Sequence, residues 1–247
     1  MNTGGYNGIL VPGKDSERSQ GGTDGKVKNA WNMNTGKMKY CIIGAGGFGK
    51  EAYCCLLDML AAESREMEEE VCFMVNDDMI SEIKILGLDV IPLSSFNPAL
   101  YKVIVAIGDP IARKEIVESL PRDTVYATII HPNVVMSKWL EIGEGSIITA
   151  GTILTCNIKI GKHVHLNLHT TVGHDCIIGD YVTTAPATNI SGKCTIGECS
   201  YLGTNSALRQ GITIGDHVTI GMGAVVVKDV IEEGTYVGNP LRKLEKN

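Results

Sequence analysis

From Ile130 to Ile231 the chain repeats every six residues without one insertion. In sixes it reads IHPNVV MSKWLE IGEGSI ITAGTI LTCNIK IGKHVH LNLHTT VGHDCI IGDYVT TAPATN ISGKCT IGECSY LGTNSA LRQGIT IGDHVT IGMGAV VVKDVI. Of the 17 first positions all but Thr184 are Ile, Leu, Val or Met, eight second positions are Gly, and every fifth position except Leu140 is small or β-branched. A strand alternates sides at each residue, so a fifth position and the next first position both point inward across one flat stretch. Positions two to four then carry a corner, where Gly at the second position is expected to supply a positive φ that costs other residues energy. Three hexads close a triangular coil, and coils stack at about 4.8 Å into a prism with a narrow aliphatic core. Each coil is stable only because its neighbours cover it.

Composition narrows the class without naming an activity. With 44% hydrophobic and 20% charged residues the chain is ordinary for a globular protein, and a net charge of −6 gives no reason to expect nucleic acid. Apolar runs are short, so neither a membrane span nor a secretory signal is expected, and the cytoplasm is the default compartment. The eight cysteines show no metal-ligand spacing. Cys176 and Cys194 share the inward fifth position one coil apart and are expected as stacked, buried thiols in a reducing compartment. Residues 1–37, rich in Gly, Asn, Ser and Lys, read as a flexible tail with no assigned function.

From Met38 strands and helices alternate: KYCIIG, a helix through GKEAYCCLLDMLAAES, strands VCFMVN, ILGLDVI and KVIVAIG, then a helix DPIARKEIVESL. Asp109 suits an N-cap and Pro110 a first helical position. Val and Ile runs between helices predict a small parallel sheet covered on both faces. Gly44-Ala45-Gly46-Gly47-Phe48-Gly49 matches G-x-G-x-x-G between a strand and a helix, where helix N–H groups can receive a phosphate. It is equally a tight turn that merely tolerates glycine. About 90 residues supply only one half of a doubly wound dinucleotide domain, which argues against a dehydrogenase.

The hexads resemble the left-handed parallel β-helix of the hexapeptide-repeat acyltransferases, and the left hand is implied by that resemblance. An α/β half-Rossmann unit fused ahead of such a prism is similar to bacterial nucleotide-sugar acetyltransferases of the bacillosamine N-acetyltransferase (PglD-like) and sialic acid O-acetyltransferase (NeuD-like) type. The resemblance runs from Met38 to the C-terminus. It implies three segments: the tail at 1–37, a nucleotide-sugar-binding Rossmann-like domain at 38–129, and a left-handed β-helix acetyltransferase domain at 130–247. It also implies that Gly46, Gly47, Phe48, Asn76, Asp77 and Gly108 contact the nucleotide sugar. Relatives usually carry an acid where Asn76 stands. The closing Val237-Gly238-Asn239-Pro240-Leu241-Arg242 resembles the family's tail after the last coil and equally reads as a turn ending the helix.

His174 and Asp175, third and fourth in VGHDCI, fall on a corner outside the core. A corner can let a carboxylate reach its neighbouring imidazole, fixing the tautomer and raising the basicity of the other nitrogen. By residue type alone His174 is more readily a solvated corner residue than a catalytic one. His163, His165, His169 and His217 are expected on the outer surface with no further role. The resemblance makes His174 the general base and Asp175 its partner, adds Asn167 near the site, and assigns the oxyanion-stabilising N–H to Gly192. It places acetyl-CoA against Thr183, Thr204 and Met222. The implied reaction is direct acetyl transfer, in a ternary complex, to the amine of a UDP-, dTDP- or GDP-linked 4-amino-4,6-dideoxy sugar. O-acetylation of sialic acid or another sugar, and a non-catalytic β-helix scaffold, are the alternatives. His169 and His174 are spaced as in β-helical carbonic anhydrases, but the third histidine's position holds Asn133, so no metal is expected. Relatives are trimers with the active site between prisms, so a homotrimer is expected.

Overall fold

Alternation along the first strand sets up two layers. In β1 (Lys39–Ile43), Tyr40 and Ile42 point to one face of a sheet, and Cys41 and Ile43 to the other. The first face packs on α1 (Gly47–Ala62) through Ala52, Leu56 and Leu60; the second packs on α2 (Pro110–Ser119) through Ile116 and Val117. Parallel neighbours β2 (Val71–Val75) and β5 (Tyr101–Val105) flank β1. Further out lie β3 (Lys84–Ile85), β4 (Leu88–Pro92) and β6 (Val125–Tyr126), in the order β3-β4-β2-β1-β5-β6. A computed structural model supplies these coordinates and describes residues 38–64 and 71–245. The tail expected at 1–37 lies outside the described residues. All described residues belong to one compact unit.

Asp109 caps α2 as expected, its carboxylate accepting the Ala112 N–H at 2.8 Å. The run ILGLDVI is not one strand. Leu86 and Gly87 both have positive φ (51° and 82°), so the chain reverses and β3 pairs antiparallel with β4. Two positive-φ residues make the two-residue turn whose twist matches that of flanking strands.

Beyond β6 the chain winds as a left-handed parallel β-helix with three sheets. Register partners advance by 18 residues: Ile129, Ile147, His165, Thr183, Tyr201 and Thr219 climb one sheet. Val135, Ile153, Thr171, Asn189, Ala207 and Val225 climb the second. The third runs from Glu141 through Lys159, Ile177 and Thr195 to Thr213. Inside, first and fifth positions form a continuous core that includes Ile148, Leu166, Val172, Cys176, Ile178, Cys194 and Ile220. Each such aliphatic side chain contributes about 1.5–3 kcal/mol when fully buried. Cys176 and Cys194 are stacked as expected, the Cys194 N–H lying 3.4 Å from Cys176 Sγ. At the end, Gly234–Val237 continues the first sheet and Arg242–Lys243 folds back antiparallel on it, so the closing segment is a turn.

Two expectations about the β-helix are corrected by the structure. Positive φ does not fall on the second-position glycines but on the fourth position, unbroken from Gly145 to Gly223 and including His163, His169, Asp175, Tyr181, Lys193 and His217. The second-position glycines answer a different demand, the close approach of the next coil. A Cβ on Gly173 would sit 2.4 Å from the Gly192 nitrogen, and one on Gly143 would sit 2.4 Å from the Gly161 carbonyl carbon. The second correction concerns the histidines. His169 and His217 are exposed, but His163 and His165 are 2% and 0% exposed, because the α/β part covers that sheet. His163 stacks on Tyr181 and meets the edge of Tyr126.

Candidate active site

A β-helix corner must turn in three residues, and its fourth-position residue takes left-handed φ. Asp175, at φ 60°, is such a residue, and this geometry brings its carboxylate back to the preceding side chain. His174 Nδ1 lies 2.8 Å from Asp175 Oδ2, with the two side chains 47% and 43% exposed, so the pair is open to a reactant. The ionised carboxylate can only accept, so Nδ1 carries a proton, and in the neutral ring Nε2 is the nitrogen with the free lone pair. Asp175 Oδ1 accepts from Asn157 Nδ2 at 2.6 Å. Hydrogen bonds from Asn157 and then from His174 hold the Asp175 carboxyl below the usual carboxylate range. Asn157 was not among the residues singled out in the sequence, although it stands 18 residues before Asp175, one coil away in the same phase.

Gly192 lies one coil from the pair. A Cβ there would be 2.6 Å from His174 Nε2, so the imidazole edge occupies the space that a side chain would fill. Asn167 stands on the preceding corner of the same coil, its Oδ1 accepting from Leu168 N–H at 2.8 Å. Among the described residues no hydrogen bond joins it to His174. Thr204 and Met222 occupy equivalent third positions one coil apart on one edge; Thr204 is half-buried and Met222 is 79% exposed. Thr183 is elsewhere. It is buried beneath the α/β part, and its hydroxyl donates to the Gly108 carbonyl at 2.9 Å. In this chain it is therefore not on the edge shared by Thr204 and Met222.

The second element of the site is a cavity of about 700 Å³ at the carboxyl ends of β1, β2 and β5. Chain order crosses from β2 to β5 around β1, and such a crevice is where open α/β sheets bind ligands. Gly46, Gly47, Phe48, Asn76 and Gly108 line it, with Met79, Glu82, Ile85 and Glu115. Asp77 does not line it; Ser94 holds that carboxylate through its hydroxyl at 2.6 Å and its N–H at 3.2 Å. The motif glycines divide into two kinds. Gly44 has φ 104°, and a Cβ on Gly49 would lie 1.9 Å from the Gly44 carbonyl oxygen, so these two serve the strand-to-helix turn. A Cβ on Gly46, Gly47 or Gly108 would meet nothing within 4 Å. Internal packing does not require those three glycines, and their bare backbone is open to the cavity. Gly46 caps α1 without a side-chain hydrogen bond, so helix N–H groups face the cavity unshielded.

A half-exposed His–Asp pair on a β-helix corner, together with a glycine-walled crevice, defines a hexapeptide-repeat transferase. Residues 39–120 match the PglD N-terminal domain, and residues 193–228 match the bacterial transferase hexapeptide (six repeats). The chain is 35% identical over 217 residues to a GDP-perosamine N-acetyltransferase of Escherichia coli O157:H7, covering 84% of this chain and 97% of that protein. Among solved structures it is similar to the acetyltransferase domain of PglB from Neisseria gonorrhoeae FA1090 in complex with acetyl coenzyme A. That likeness has a TM-score of 0.75 at 32% identity, over 85% of this chain and 100% of that one. PerB from Caulobacter crescentus, in complex with CoA and GDP-perosamine, superposes with a TM-score of 0.73 at 27% identity, over 84% of this chain and 97% of that one. The chain belongs to the PglD-like nucleotide-sugar acetyltransferases of the hexapeptide-repeat family, and it is an acetyltransferase.

Proposed function

We propose that the chain transfers the acetyl group of acetyl-CoA to the amine of a nucleotide-linked 4-amino-4,6-dideoxy sugar. The observation that carries this reading is the pairing, in one chain, of an open His174–Asp175 corner with a cavity walled by unhindered glycines. A GDP-linked acceptor is favoured over UDP- or dTDP-linked ones, because the relative matched over 97% of its length is named for GDP-perosamine. The α1 N-terminus and the Gly46–Gly47 backbone receive the diphosphate, and Phe48, Asn76 and Gly108 line the cavity around the rest. Thr204 and Met222 are the residues offered to the acyl donor.

His174 Nε2 takes a proton from the amine as its nitrogen bonds to the thioester carbon. The carbon–sulfur bond then breaks, the imidazolium returns its proton to the sulfur, and CoA leaves as the thiol. Asp175 keeps the imidazole in the reactive tautomer and stabilises the imidazolium, as the carboxylate does in hydrolytic triads. Such a base contributes typically about 10²–10⁴-fold. Gly192 N–H is assigned to the developing oxyanion, the kind of donor whose removal costs about 10²–10³-fold.

Topology supports a site shared between copies. The α/β part is seated on the sheet of His165 and Thr183, whereas His174 turns the corner between the other two sheets. In a three-sided coil that corner lies opposite the covered sheet, so one chain directs its cavity and its imidazole different ways. A homotrimer joins one copy's corner to another's cavity. Val135 (63% exposed) and Ile153 (41%), stacked one coil apart on an outer wall, are apolar surface suited to such a contact.

The test is CoA release from acetyl-CoA across GDP-, UDP- and dTDP-linked 4-amino sugars, with CMP-sialic acid and sialic acid alongside. Turnover with a 4-amino sugar nucleotide is expected, together with a loss of at least about 10²-fold in His174→Ala at unchanged melting temperature. No turnover with any acceptor would sink the proposal.

A further inference from the structure

Arg113, on α2, is 0% exposed and lies in the middle of the contact between the α/β part and the β-helix. Among the described residues no carboxylate pairs with it. Its Nη1 donates to the Ile107 carbonyl at 2.6 Å and meets His165 Nδ1 at 2.9 Å. Its Nη2 donates to the Tyr181 carbonyl at 2.6 Å and to Thr183 Oγ1 at 2.9 Å. An apolar side chain would close this contact without desolvating a charge, so the guanidinium is explained by what its fork holds. Because arginine only donates, His165 Nδ1 accepts, and the ring is the neutral Nε2–H tautomer. Burial first, and the Arg113 charge after it, push this imidazole well below the ordinary histidine range.

Two walls of the cavity rest on these groups. Gly108 is held by the Thr183 hydroxyl at 2.9 Å, next to Ile107, which is held by Arg113. Phe48 packs on the His165 ring with centroids 4.8 Å apart. We infer that Arg113, His165 and Thr183 form a positioning cluster through which the β-helix sets the shape of the nucleotide cavity, and that Thr183 serves the nucleotide rather than the acyl donor. The inference rests on the reading of this cavity as the nucleotide site. None of the three touches the reacting atoms. They act through Gly108 and Phe48.

Thr183→Val keeps the shape and removes the hydroxyl, Thr183→Ser keeps the hydroxyl, and Arg113→Lys keeps the charge but loses the fork. Each assembled protein is titrated calorimetrically with GDP and with UDP, its steady-state constants are measured for both substrates, and its melting temperature is recorded. Thr183→Val and Arg113→Lys are expected to weaken binding of the nucleoside diphosphate about tenfold, the worth of one well-placed hydrogen bond. The KM for the sugar nucleotide should rise in parallel, with kcat and the KM for acetyl-CoA holding within about twofold on the same scale. Thr183→Ser should restore affinity. If Arg113→Lys does not fold, the valine and serine variants decide the matter. Lowered melting temperature with unchanged nucleotide affinity would reduce the cluster to a structural staple and overturn the inference, as would a rise confined to the KM for acetyl-CoA. Failure of both GDP and UDP to bind the unsubstituted protein would instead remove the nucleotide reading, and the inference with it.

Discussion

At the residue scale the chemistry depends on empty volume as much as on functional groups. His174 keeps its position because Gly192 has no side chain: a Cβ there would be 2.6 Å from Nε2. Gly192→Ala must therefore push the imidazole aside. A displacement of that order costs about 10²-fold in rate. Steady-state kinetics should show this fall in kcat, with the melting temperature within a few degrees of the parent; full activity would place the base elsewhere. His174 and Asp175 were legible as an outward corner pair because the six-residue phase put both outside the core, whereas their catalytic role came from the family resemblance alone. Asn157 was not, because a single coil gives no reason to prefer one corner asparagine over another. Only the 18-residue step connects it to Asp175.

At the level of the element, the glycine loop shows how one motif can carry two obligations. Gly49→Ala drives a Cβ to 1.9 Å from the Gly44 carbonyl oxygen and should destabilise the fold by about 1–3 kcal/mol, as overpacking does. Gly47→Ala opens onto the cavity as the first residue of α1, and a helical Ala is more stable than Gly by about 0.5–1 kcal/mol. Thermal unfolding should thus separate the pair in opposite directions. Acceptor KM should rise roughly tenfold in Gly47→Ala, the cost of disturbing a charge-assisted hydrogen bond. A Gly47→Ala variant with parental KM would return the loop to a plain turn. The G-x-G-x-x-G pattern alone could not sort its glycines, since the division depends on which Cβ would meet backbone and which would meet open space. The Leu86–Gly87 reversal was hidden for a similar reason, because Leu86-Gly87-Leu88 between Ile85 and Asp89-Val90-Ile91 reads as part of one strand.

Across the whole molecule, the seam between the two parts should govern behaviour in acid. Burial pushes the His163 imidazole down to about 4, and His165 is shifted the same way. The unfolded chain, with histidines near 6.5, takes up protons before the folded one does. The contribution of His163 is therefore complete above pH 6.5 and lost as pH falls from there toward 4, and that of His165 is lost in the same direction. At about 1.4 kcal/mol per unit, His163 alone accounts for up to roughly 3 kcal/mol. Melting temperatures taken between pH 7.5 and 4.5 should fall less steeply in His163→Phe than in the parent; equal slopes would remove this histidine from the acid response. Periodicity distinguishes the inside of a prism from its outside. It does not say which outer wall another part of the chain will cover, and so His163 and His165 were expected on the surface and Arg113 was not singled out.

The unbroken 18-residue step has a consequence for how such a protein can change over evolutionary time. Inserting or deleting one residue in a strand exchanges the sides of every side chain after it. Between Ile130 and Ile231 that would turn the wall inside out, so length can vary there only by bulging a corner or by adding or removing a whole coil. A whole coil is also the distance from Asn157 to Asp175 and from His174 to Gly192. Duplicating a coil above Gly192 would leave both relationships intact, whereas duplicating one between His174 and Gly192 would separate the base from its neighbour without disturbing the fold. The repeat thus works as a ruler marked in coils, and substitution within a mark is the course open to most of its positions.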